Sequence, residues 1–192
     1  MKKATFLNKI MLLVLFALLL SNFNAFAQKT TIWIVNHAEE SKKSDALSDI
    51  GQARAADLMK AVKHDNIVAI YVTSQNISAQ TAAPLATRNK ITPIIYTDSL
   101  QKLADMIKKT YAGKNVLIVA DHGTIPHIIS AFGSSNPFES LDKGDYDQLF
   151  SITIKGSGDP ETSVRYYGKT NHVTAIPQSY IMDNFTPGVP GH

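Results

Sequence analysis

His37, Asp121 and His122 are the residues best suited to acid, base or nucleophilic chemistry in this sequence, and each stands just past an apolar run. The runs are Thr31-Ile-Trp-Ile-Val35 and Val116-Leu-Ile-Val-Ala120, which break abruptly into Asn36-His-Ala-Glu-Glu40 and Asp121-His-Gly-Thr124. A buried parallel strand has this form where its carboxyl end opens into a binding crevice. Histidine can act there as nucleophile, proton carrier or metal ligand, according to which ring nitrogen carries the proton. Together with Glu39 and Asp121 it offers ligand types suited to zinc or manganese, and a hydrolytic metal site needs three protein ligands and one open position. No His-Glu-x-x-His spacing is present, however, so neither a metal nor another cofactor is expected. The sequence also lacks a Gly-x-Ser-x-Gly elbow and a Gly-x-x-x-x-Gly-Lys phosphate loop, which leaves a serine hydrolase or a nucleotide-binding loop unsupported.

Short runs rich in β-branched residues alternate with longer amphipathic stretches. Strands are predicted over Thr31–Val35, Ile67–Thr73, Pro93–Tyr96, Val116–Ala120, Leu149–Lys155 and Ser163–Tyr167. Helices are predicted over Ser48–Val62, Ser78–Arg88, Ser99–Tyr111 and from Pro126 to about Phe132. For the first helix, Ser48 is the expected cap, with Ile50, Ala53, Leu58, Ala61 and Val62 as its apolar stripe. This alternation calls for right-handed crossovers and a three-layer α/β/α domain with a mostly parallel sheet. Gly156-Ser-Gly-Asp-Pro160 separates the last two strands as a hairpin turn would, giving the sheet an antiparallel edge. In such a sheet the strand ends bring Asn36, His37, Glu39, Asp121 and His122 to one edge, with Gln80 and Thr81 entering a helix nearby.

Lys2, Lys3 and Lys9 precede an apolar run from Ile10 to Leu20, and Ala25-Phe26-Ala27 offers the small residues that a signal peptidase reads. The run is far shorter than the ~20 residues of a membrane span. Residues 1–27 are therefore expected to be a cleaved signal peptide, and residues 28–192 a single domain in a Gram-negative periplasm or the extracellular space. Removing 27 residues from the 192 leaves 165, enough for one apolar core. Cleavage also removes three lysines and no acid, leaving 16 basic and 16 acidic residues. A neutral chain gives no support for binding nucleic acid or an anionic membrane, so a small molecule is the expected partner. With no Cys, disulfides and thiol chemistry are excluded together.

The ordered set Ile32-Trp-Ile-Val-Asn-His-Ala-Glu-Glu40, Leu47-Ser-Asp-Ile-Gly-Gln-Ala-Arg-Ala55, Ile70-Tyr-Val-Thr73, Gln80-Thr-Ala-Ala-Pro-Leu-Ala86 and Val116-Leu-Ile-Val119 resembles the histidine phosphatase superfamily, also called phosphoglycerate-mutase-like. The resemblance covers about Thr31 to Gly133, and Tyr146-Asp-Gln-Leu-Phe150 and Arg165-Tyr-Tyr-Gly168 are similar to short bacterial members. It implies that His37 holds the position of a nucleophile that takes up a phosphoryl group. It also implies two phosphate-binding Arg residues, yet Asn36 stands at the first position and Ile77 at the second. The second catalytic His falls on Asp121 in an ungapped alignment that keeps Thr124, and on His122 if the loop is one residue shorter.

These departures bear on charge. A phosphoryl group in flight spreads negative charge over its oxygens, and a fixed bidentate Arg fork cannot be replaced by Asn or Ile. Lys42, Lys43, Arg54, Arg88 or Lys90 would have to swing a cation into the pocket, although Arg54 is read more simply as a structural salt bridge on a helix face. The expectation is a degenerate site built from Asn36, His37, Glu39, Ile77, Gln80, Thr81, Asp121, His122 and Thr124, which holds a neutral or cationic ligand such as an amine or sugar without turnover. The alternative is a phosphomonoesterase working through His37 with substituted or metal-assisted phosphate binding.

Overall fold

The computed structural model describes residues 29–156 and 158–182, so the leader, its cleavage point and the tail residues Phe185 and His192 lie outside the described residues. Strands β1 (Lys29–Asn36), β2 (Ile67–Val72), β3 (Ile94–Ile95) and β4 (Asn115–Ala120) alternate with helices α1 (Asp49–Ala61), α2 (Asn76–Asn89), α3 (Leu100–Thr110) and α4 (Ile125–Ala131). Strands β5 (Gln148–Lys155) and β6 (Glu161–Tyr166) follow, and Gln178–Tyr180 forms a short 3₁₀ turn. The six strands and four helices lie where the sequence pattern places them, within a residue or two at their ends, and the 3₁₀ turn is additional.

One sheet runs in the order β3-β2-β4-β1-β5-β6. The first four strands are parallel, while β5 lies antiparallel to both β1 and β6. Buried residues of β1 and β4 alternate between the two faces. Ile32, Ile34, Val116 and Ile118 pack with Leu103, Ala104 and Ile107 of α3 and Ile125, Ile128 and Ile129 of α4. Trp33, Val35, Leu117 and Val119 pack with Leu58 of α1 and Ala82, Leu85 and Ala86 of α2. Strands covered on both faces need apolar side chains at every position, which explains their continuous rather than alternating hydrophobicity.

Helix α1 is rotated from the expected stripe. Ser48 does cap it, its side chain accepting from the Gly51 N–H at 3.1 Å. The buried face, however, comprises Gly51, Arg54, Ala55 and Leu58, whereas Ile50 is 62% exposed and Ala53 is also exposed. A guanidinium on the inward face misled the apolar periodicity. Gly51 is required by close approach, because a Cβ there would stand 2.2 Å from the Glu39 carbonyl oxygen. Backbone atoms cannot yield as a flexible side chain can. Gly51→Ala is therefore expected to push α1 off the β1–α1 loop and to cost about 1–3 kcal/mol in urea denaturation. An unchanged midpoint would contradict that contact.

Candidate functional site

The pairing of β1 with β4 positions the site. Asn36 is in register with Ala120, and the His37 N–H donates to the Ala120 carbonyl at 2.9 Å, so the residues that follow the two strands emerge side by side. His37 Nε2 then stands 3.5 Å from Asp121 Oδ1. Its Nδ1 lies 2.9 Å from the Ala38 carbonyl oxygen, which can only accept, so Nδ1 carries the proton. In neutral His37 the Nε2 lone pair is left on the side of Asp121. The His37 side chain is 9% exposed and that of Asp121 31%, so the pair is reached from the Asp121 side.

The expected site residues divide into three groups. His37 and Asp121 meet. Asn36 is buried beside them, its Nδ2 donating to the Asp145 carbonyl at 3.2 Å while Oδ1 is buried without a donor. His122 is half-buried in the turn after Asp121, and the Thr124 N–H closes that turn on the Asp121 carbonyl at 2.8 Å, with no side-chain capping bond from Thr124.

The remaining residues hold the scaffold, and Gln80 also lines an open cavity beside α1 and α2 together with Leu47, Gln52, Ala55 and Ala83. Thr81 is fully buried, its hydroxyl accepting from the Ala38 N–H and donating to the Ile77 carbonyl. Gln80 Oε1 accepts from the Leu47 N–H at 2.8 Å and so fixes the β1–α1 loop. Ile77 is 4% exposed and packs in a small apolar cluster with Ala38, Leu47 and Ala55, which corrects its expected place on the pocket wall. An apolar side chain at that position is stable only by turning inward, under the loop.

Glu39 is also corrected. Rather than facing a ligand, it takes Arg54 in a forked pair, with Nη2 at 2.7 Å and Nε at 2.8 Å from Oε1. Arg54 Nη1 donates to the carbonyls of Lys169 at 3.0 Å and Tyr167 at 3.4 Å, and Asn171 Nδ2 reaches Glu39 Oε1 at 3.3 Å. Burial alone would raise the Glu39 carboxyl, but the hydrogen bonds and charge of Arg54, with help from Asn171, hold it below its ordinary value. Burial likewise works against the Arg54 cation, and Glu39 outweighs it, raising that group. Arg54 is thus an inward structural salt bridge and not a helix-face pair, and it is fully engaged away from His37. Lys42, Lys43, Arg88 and Lys90 are exposed, and among the described residues no ion pair or hydrogen bond brings a Lys or Arg to His37 or Asp121. No group of three or more His, Asp or Glu side chains among the described residues is disposed to hold a metal ion.

Two tyrosines complete the edge. The Tyr146 ring meets His37 edge-on, with centroids 6.5 Å apart, and burial followed by the charges of Glu39 and Glu40 raises its hydroxyl. The Tyr96 hydroxyl is buried without a partner and is pushed up to about 12, by burial first and then by the Asp121 charge. Behind Asn36, the Asp145 carboxylate accepts from the backbone N–H groups of Val173, Thr174 and Asp142. Burial would raise it too, but these bonds, with the Thr174 side chain, hold it low. Asp147 anchors His172 Nδ1 at 2.8 Å, and the His172 ring stacks on Tyr166 at 4.6 Å. None of these residues was assigned a role from sequence. Topology contains the signal, since antiparallel β5 begins, and β6 ends, on the edge where β1 and β4 end.

The sheet order and this edge agree with the fold of several solved structures, a protein histidine phosphatase among them. Among solved structures, the chain is similar to Bacillus stearothermophilus YhfR, at 18% identity over 71% of this chain and 96% of that one with a TM-score of 0.53. It is also similar to the protein histidine phosphatase SixA complexed with tungstate, at 14% identity over 71% and 95% of the two chains with a TM-score of 0.52. A third likeness is to mycobacterial hydrolase 1, at 12% identity over 75% and 99% with a TM-score of 0.52. At these identities the likeness shows the fold. No family model matches the sequence, and no curated protein is significantly similar to it.

The Glu39–Arg54 pair yields a prediction. Glu39→Gln leaves a buried guanidinium without its counter-charge and is expected to cost about 3 kcal/mol in urea denaturation at neutral pH. The folded-state pKa of Glu39 lies below 4.5, so its contribution is present above that pH and fades as the pH falls through the lowered value. The native protein should therefore lose stability on acidification more steeply than Glu39→Gln, and parallel pH profiles would contradict the pair.

Proposed function

We propose that this protein is an exported, noncatalytic ligand-binding protein with a histidine phosphatase fold and a remodelled site. The observation that carries this reading is the charge around His37. Its nearest charged group is the Asp121 carboxylate at 3.5 Å, Asn36 and Ile77 stand where the family resemblance calls for Arg, and Arg54 is bound to Glu39. Transfer of a phosphoryl group needs preorganised cations and donors where negative charge develops, and loss of one such donor typically costs about 10²- to 10³-fold in rate. Here two are replaced and an anion is added. A carboxylate at that distance repels a phosphate ester before any chemistry begins.

His37 retains the orientation of a nucleophile, with Nδ1–H fixed on a carbonyl and Nε2 turned outward. Orientation without charge stabilisation supports binding better than turnover. Export is read from the basic and apolar leader, and a mature chain beginning at Gln28 is its signature.

Hydrolysis of p-nitrophenyl phosphate by the purified protein, with and without Mg²⁺, Mn²⁺ or Zn²⁺, tests the reading beside a His37→Ala variant. The expected result is a rate no higher than that of the variant in every condition. Turnover that disappears in His37→Ala would overturn it, and dependence on one metal would show what replaces the missing cations.

A further inference from the structure

Three acceptor atoms at the His37 edge take no hydrogen bond from a donor among the described residues. With Nδ1–H committed to the Ala38 carbonyl, neutral His37 presents only the Nε2 lone pair. Opposite it, Asp121 Oδ1 presents another acceptor at 3.5 Å, beyond the 2.7–2.9 Å of a charge-assisted N–H···O bond. At the same strand end, Asn36 has its amide nitrogen turned to the Asp145 carbonyl, which fixes the amide orientation and leaves Oδ1 buried without a donor. A buried acceptor without a donor, as Asn36 Oδ1 is, is rare in folded proteins and calls for an explanation. The loops around them, 36–48, 121–124 and 138–147, carry more carboxylates than cations, and of their cations Lys143 is already paired with Glu40. A cleft fringed by one sign of charge gathers ligands of the other.

We propose that this edge binds a primary ammonium group of a small amine, with N–H donors bridging His37 Nε2 and Asp121 Oδ1. The proposal rests on the noncatalytic reading above and names its ligand class. A primary ammonium supplies both several N–H donors and a positive charge, in a head smaller than a planar guanidinium. A sugar hydroxyl supplies one donor and no charge. A quaternary ammonium supplies charge and no donor, and phosphate carries the wrong sign. Asp121 is the accessible partner, and half-buried Tyr146 borders the imidazole edge-on. Tyr96, whose hydroxyl is buried without a partner, stands within the field of Asp121.

The test is titration of the protein with n-butylammonium chloride at constant ionic strength, followed by the imidazole NMR resonances of His37, which His37→Ala assigns by their loss. Tetramethylammonium, glucose and inorganic phosphate serve as the comparison ligands. The expected result is a saturable shift with butylammonium, absent or at least about tenfold weaker with tetramethylammonium and glucose, and weakened about tenfold or more in Asp121→Asn. Asp121→Ser serves as a second variant should the backbone spectrum of Asp121→Asn depart from that of the native protein. No saturable response to butylammonium, equal binding of tetramethylammonium or glucose, or undiminished affinity in both Asp121 variants would overturn the proposal. The two readings fail separately. Absence of both amine and phosphate binding removes the amine alone, whereas phosphate binding with His37-dependent turnover removes the noncatalytic reading on which it rests.

Discussion

A buried guanidinium must be neutralised, and the way Arg54 meets that demand shapes much of this domain. Its side chain is 2% exposed, so without Glu39 it would impose a desolvation cost that packing could not offset. The forked bond to Glu39 draws the loop after β1 down onto α1, and Gly51 is the residue that lets the backbones meet. The remaining donors of Arg54 hold the carbonyls of Tyr167 and Lys169, bringing the segment after β6 to the same edge. One ion pair thereby joins the β1–α1 loop and α1 to the segment after β6. It also takes the most deeply placed cation away from His37.

The electrostatic character of the site follows from that arrangement. His37 keeps the geometry of a reactive imidazole because its position depends on backbone pairing between β1 and β4, which needs no particular ligand chemistry. Charge around it is a separate matter, set by the side chains at the strand ends. Asn36 and Asp121 stand there as an amide and a carboxylate, and among the described residues no Lys or Arg is paired with them. Ile77 lies in the apolar cluster beneath the loop, where it contributes packing.

Much of this was legible in the sequence. The strands announce themselves because burial on both faces demands unbroken apolar runs, and the convergence of His37 with Asp121 follows from two runs that end in polar clusters. What escaped was long-range polar pairing. Arg54 and Glu39 lie on different elements, and neither shows by type alone that the other will neutralise it, so the buried face of α1 was placed about Ile50 and Ala53 instead of Gly51 and Arg54. Tyr96 and Tyr146 escaped for a related reason, since their roles depend on strand direction and sheet order and not on a local motif. His172 had no nameable partner in sequence, and it finds Asp147 only once β5 and β6 are side by side.

Calorimetric titration with tungstate measures, without requiring turnover, whether the edge around His37 holds a tetrahedral oxyanion. The expected result is no saturable heat attributable to His37, with traces of the native protein and His37→Ala superimposing. Tight, stoichiometric tungstate binding that is abolished in His37→Ala would contradict it and restore an anion site to this edge.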